Sequence, residues 1–239
     1  MGFWSSVGSA ISSGFSAVCS AVSSIGSAAV SFASECLPKV GTILTTLGGS
    51  LGMVASVLVG VCQIFSILRQ DEKAEDLGER ALQAAESGIR PENFDRYVDY
   101  LNDIRKFEIN PEKSAQYSPD TKAAAGMQVA ISSLEDRFKT PVGALYGLPI
   151  LVAMSYSGVD EKSFFDKDRL SALLKTTHDI NAVVDYLDGR LGRSERATVE
   201  TTLLKAEQSL TPEKTLADVK GDLREVAARL EAQMNKAAQ

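Results

Sequence analysis

Chemistry in this chain would have to start from few groups. His178 is its one histidine, standing between Lys175 and Asp179. A metal site or a general base needs partners at a set spacing, such as HExxH on one helix face, and no such pattern surrounds it. It reads as a half-exposed helix residue. Gly189-Arg190-Leu191-Gly192-Arg193 is too short and wrongly placed for a dinucleotide fingerprint, and a helix-ending turn accounts for it. Cys19, Cys36 and Cys62 lack metal-ligand spacing and are odd in number, so they read as small buried apolar residues. No catalytic residue, metal ligand or cofactor site follows, and an enzyme is not expected.

The residue type that recurs with a period is serine. Ser5, Ser9, Ser12, Ser16, Ser20, Ser23, Ser27, Ser31 and Ser34 are separated by eight gaps spanning 29 residues, a mean near 3.6. Beside them run Trp4, Val7, Ile11, Phe15, Val18, Val22, Ile25, Ala29 and Phe32, eight gaps spanning 28 residues, a mean of 3.5. Both are helical spacings, so residues 3–36 predict an amphipathic helix with one apolar and one hydroxyl stripe. Unbroken, it would measure roughly 50 Å. A helical serine can return its hydroxyl to the backbone of the preceding turn, which makes it tolerable in lipid while still offering water a polar surface. The expected chemistry is therefore physical. Serines would line a wet, uncharged lumen of weak charge selectivity, and the apolar stripe would face lipid.

The positioning elements follow from the charge pattern. Residues 1–70 hold only Glu35, Lys39 and Arg69 as charges, a net of +1; the whole chain is −6, so residues 71–239 carry −7. Pro38 is expected to end the first helix. Residues 40–68 then form a second uncharged run of 29 residues, longer than the roughly 20 that span a bilayer. Within it Gly48, Gly52, Ser56 and Gly60 recur every four residues, a small-residue row suited to close helix packing. Residues 1–70 thus read as a membrane-active helical hairpin. The alternative is a central buried helix of a bundle, broken at Gly48-Gly49.

Residues 71–239 read as an acidic helical bundle. Helices are expected over 71–88, from Pro91 to about Phe107, and over 119–138 behind a Ser118-Pro119 start. A further helix is expected along Leu170, Leu173, Thr177, Ile180, Val184, Leu187 and Leu191. A last one starts near Thr211-Pro212. The uncharged window 140–159 is interrupted by Pro141 and Pro149 and reads as bundle core. No stretch alternates long enough for a strand, so the fold class is all-α. The acidic balance argues against a nucleic-acid partner.

Met1-Gly2-Phe3-Trp4-Ser5-Ser6 fits the myristoylation pattern, although Phe3 and Trp4 fit better as anchors at a membrane surface. With Lys39 the first basic residue, no secretory signal peptide is expected. The uncharged start GFWSSVGSAISSGFSAV, the row Gly48, Gly52, Ser56 and Gly60, and the acidic helical remainder resemble small pore-forming effectors delivered between bacteria by type VI secretion. The resemblance covers residues 1–70. It implies insertion into a target-cell membrane as a homo-oligomer, an immunity protein in the producer, a secretion carrier or adaptor, and a soluble form before export. Pore-forming colicins are similar in hiding an apolar hairpin inside a helical bundle, though near the other terminus. Three other readings share these features: a virion or phage protein that crosses a membrane, a non-toxic membrane-anchored interaction protein, and a soluble bundle with the front helices as core.

Overall fold

The computed structural model describes residues 13–160 and 162–237. The fold is all-α, and among the described residues the only β pairing is an isolated bridge between Tyr156 and Ser163. Trp4, Val7, Ile11, Ser5, Ser9 and Ser12 lie outside the described residues.

The front segment begins with α1, Ser13–Ser23. It does not continue to residue 36 as one helix. Short bonds from Ser24 and Ile25 to Ala21 and Val22 close α1, and Gly26 is extended. Helix resumes as α2, Ser27–Ser31, and runs through a π turn, Phe32–Cys36, into α3, Leu37–Leu47. Pro38 therefore ends nothing. It cannot donate to the Ser34 carbonyl and its ring crowds that oxygen; the wider turn before it, with Leu37 donating to Phe32, absorbs the misfit within a continuous helix.

The 29-residue run is also divided. Gly48 turns left-handed at φ 73° to finish α3, and Ser50 caps α4, Leu51–Ile64, by accepting from the Met53 amide at 3.2 Å. At 14 residues α4 measures about 21 Å, short of the roughly 30 Å of a bilayer core. No helix among the described residues is long and apolar enough to cross a membrane.

The remaining chain supplies α5 (Ala74–Glu86), a 3₁₀ turn at Pro91–Asn93, α6 (Tyr97–Lys106), α7 (Pro111–Ser114) and α8 (Pro119–Phe138). The expected start of α8 is as read: Ser118 Oγ accepts from Thr121 at 3.1 Å and Pro119 occupies the first turn. After α8 come α9 (Gly147–Met154), α10 (Lys167–Thr176), α11 (Ile180–Leu187), α12 (Arg193–Leu210) and α13 (Leu216–Ala237). The helix expected from Leu170 to Leu191 is two, because Asp179 accepts from Ala182 at 3.2 Å and starts α11 anew. The last helix starts later than Thr211, behind a cap in which Thr215 and Asp218 exchange bonds. Gly189 does end α11, at φ 73°.

Helix α8 is the hub, with α5, α4 and α1 packed on it; α9 and α10 close on α4, and α13 closes on α12 and α3. Where α5 crosses α8 the backbones touch. A Cβ on Gly78 would strike the Lys122 carbonyl and Gly126 nitrogen, and one on Gly126 would strike the Ala74 carbonyl. A single apolar core runs from Val18 through α4 and α8 to Leu230. Within window 140–159, helix α9 is buried at all eight positions, whereas Val142 and Val159 at the window's ends are exposed.

Candidate functional site

Segment 13–68, charged only at Glu35 and Lys39, is the unusual part of this molecule, and its surroundings decide what it can do. Both stripes exist. Val18, Val22, Ile25, Ala29 and Phe32 are buried and Phe15 is half-buried, whereas Ser16, Ser20, Ser27 and Ser34 are exposed and Ser23 and Ser31 half-buried. Several hydroxyls turn back on the helix: Ser23 Oγ donates to Cys19 O at 2.8 Å and Ser34 Oγ to Val30 O at 2.9 Å. The apolar stripe expected to meet lipid here meets the chain's own core, with Phe15 lying over Gly41 and Phe32 set edge-on to Tyr146 at 5.6 Å.

The small-residue row does not act as one seam in this state. Gly48 is an exposed helix end, Ser56 is exposed, Gly52 faces the Glu75 carboxylate and Gly60 is covered by the Lys167 side chain. The glycines that bring two helix backbones closest are Gly78 and Gly126, one on each of two helices, so no single-helix row reveals them. Their only trace in the sequence is the small-residue run Ala123-Ala124-Ala125-Gly126.

Polar ties hold the segment at identifiable points. At the α1–α2 joint Glu92, from the 3₁₀ turn, takes the Ser27 amide on Oε1, 65 residues away in sequence. Tyr146 Oη donates to Ala28 O at 3.3 Å. At the far end Arg105 grips Glu72 with both arms, at 2.6 and 2.8 Å, and reaches Ile67 O at 3.1 Å. Burial of Glu72 raises its proton affinity, but Arg105 and the Arg69 amide outweigh this and hold the carboxyl below its ordinary range.

The segment's two charged side chains, Glu35 and Lys39, converge on one cleft of about 440 Å³ with Tyr146, Ile150, Asn181, Asp185 and Arg190. Its charges are largely matched internally: Arg190 meets Asp185 at 2.5 Å and Asp188 at 2.6 Å. Behind it lies Glu135 of α8, buried, accepting amides of Gly143 and Leu145 at 2.8 and 3.2 Å and so shaping the turn into α9. Burial pushes its carboxyl up to about 7, against the pull of those amides.

His178 falls between α10 and α11, exposed, with its ring 4.8 Å from that of Phe138. Among the described residues no cluster of histidine, cysteine and carboxylate could hold a metal ion. The chain matches no protein-family model, no curated protein and no solved structure.

Proposed function

We propose that the chain is a membrane-inserting, pore-forming effector, seen here in its covered state. The observation that supports this most is the arrangement of residues 13–68. An almost charge-free segment, apolar on one face and hydroxylic on the other, is wrapped by ordinary acidic helices and tied to them by the Glu92 carboxylate at Ser27 and the Arg105 guanidinium at Ile67. Insertion requires the segment to exchange its own core for lipid, since only the lipid-bound form gains from exposing the stripe. Helices α3 and α4 would then have to join across Gly48-Gly49-Ser50, because neither spans a bilayer alone. The same proposal carries an immunity partner and a carrier in the producing cell, and a homo-oligomer whose serines line the lumen.

The test is dye release from vesicles, paired with membrane potential and growth after export of the chain to a bacterial periplasm. Ser20→Asp sharpens it, because Ser20 is exposed and the covered fold tolerates a charge there. In a serine-lined pore the new carboxylate ring should turn a weakly selective channel cation-selective, read as a shift of reversal potential. Release with unchanged selectivity removes the serine lining; no release at all removes the pore.

One observation favours a second reading, a helical interaction bundle whose front helices are simply core. The uncharged run is divided into helices of 11 and 14 residues. A protein that folds, leaves vesicles sealed and never sediments with them would support that reading.

A further inference from the structure

The front segment is held in two ways that differ in what a membrane can replace. Buried Val18, Val22, Ile25, Ala29 and Phe32 would find lipid as congenial as the bundle. The carboxylate of Glu92 would not. It sits at the first helical residue after the α1–α2 joint, where the amide of Ser27 has no partner within its own helix. Its fit is close enough that a Cβ on Gly26 would stand 2.7 Å from both carboxylate oxygens. Glu92 is itself exposed, so solvent protons reach it freely.

We propose that Glu92 is an acid-released latch: ionised, it fastens the α1–α2 joint to the bundle, and protonated, it lets residues 13–31 lift while the α5–α8 core stays folded. This deepens the membrane-insertion reading by supplying its trigger, and rests on that reading for its purpose. The neighbouring charges are few. Arg90 on the same turn favours the ionised form, and Tyr100 of α6 shares its field. The joint itself brings none, since residues 20–34 carry no ionisable side chain. Burial works to raise the proton affinity of Glu92, but the hydroxyl and amide of Ser27 and the charge of Arg90 outweigh it and keep the carboxyl below its ordinary 4.5. The sign follows: the latch is fully closed above pH 4.5 and opens as pH falls through the lower folded-state value.

Hydrogen exchange on the full chain without lipid tests this, after correction for the intrinsic pH dependence of exchange. Glu92→Gln at pH 6 should lower protection of residues 13–31 roughly 2- to 30-fold, the range for losing a helix cap, and leave α5 and α8 unchanged. Wild type taken below that lowered folded-state value should show the same local loss, and Glu92→Gln should show little further change there. Ser27→Pro provides the second arm: proline suits the first helical position and the extended Gly26 before it, yet removes the amide and hydroxyl that Glu92 holds. It should reproduce the loss, and the double variant should add nothing to either single one. Undiminished protection in both variants, or a loss spread evenly over α5 and α8, overturns the latch. Vesicle release scored separately distinguishes the two claims: release without local opening defeats the latch alone, and local opening without release defeats the membrane reading alone.

Discussion

Glu135 and Glu92 are carboxylates with opposite pH behaviour, and the difference comes from what each gains on ionising. Buried Glu135 loses water and recovers only two amide bonds, so its folded-state proton affinity rises to about 7. A raised folded value means stability is fully present below the ordinary 4.5 and is lost as pH climbs toward 7. Glu135→Gln should remove that slope, so urea midpoints of the variant stay flat between pH 4.5 and 7 while those of the wild type fall. Equal slopes would show that Glu135 keeps an ordinary affinity. Neither carboxylate was legible in the sequence as more than a helix or turn residue. What sets them apart is the partner at the far end of each hydrogen bond, and for Glu92 that partner lies 65 positions away. The stripes fared differently. Val18, Val22, Ile25 and Phe32 declare their common face by spacing alone, since the spacing fixes which residues point together but leaves open whether lipid or protein covers them. Because Val22 is fully buried, a charge there would unfold the covered state and says nothing about insertion.

Among helices, the α5–α8 crossing is the contact with least room. Gly78→Ala or Gly126→Ala forces a methyl group into the opposing backbone, which cannot rotate aside as a side chain would, and should cost about 3 kcal/mol or more. Gly221→Ala on the exposed face of α13, where a Cβ meets nothing within 4 Å, should instead stabilise by up to about 1 kcal/mol. Urea unfolding of the three variants checks both signs, and equal effects would mean that helix propensity governs the first two. Helix type was plain from periodicity, and α8 could be placed end to end because a Ser-Pro start is a local signal. Breaks were harder to read. The joint at Ser24–Gly26, the division at Asp179 and the π turn before Pro38 depend on which cap or tertiary contact prevails over an unbroken apolar row. Pro38 shows the limit of a local rule, since the cost of a mid-helix proline was met by widening the turn before it.

For the whole molecule the question is whether α4 leaves its place. It lies between α8, α9, α10 and α5, and at Gly60 it approaches α10 closely, where a Cβ would stand 3.3 Å from the Cβ of Lys167. That spacing is close to what a disulfide needs. In a Cys19→Ser background, which removes the half-buried thiol while Cys36 and Cys62 stay buried, Gly60→Cys with Lys167→Cys should close a staple between α4 and α10. The staple leaves the covered fold intact and forbids the uncharged segment from joining across Gly48–Ser50 in a bilayer. Oxidised protein should therefore keep vesicles sealed, and dithiothreitol should restore release to the level of the unstapled chain. Release that is equally fast with the bridge closed would mean that α4 stays in the bundle throughout, confining any membrane activity to the residues before it. The experiment also bears on the core as a unit: α4 can depart only if α8, α9 and α10 close over the space it leaves or open with it. Exchange protection in α8, measured with vesicles present and the staple reduced, should fall if the bundle opens as one body and hold if the jacket recloses.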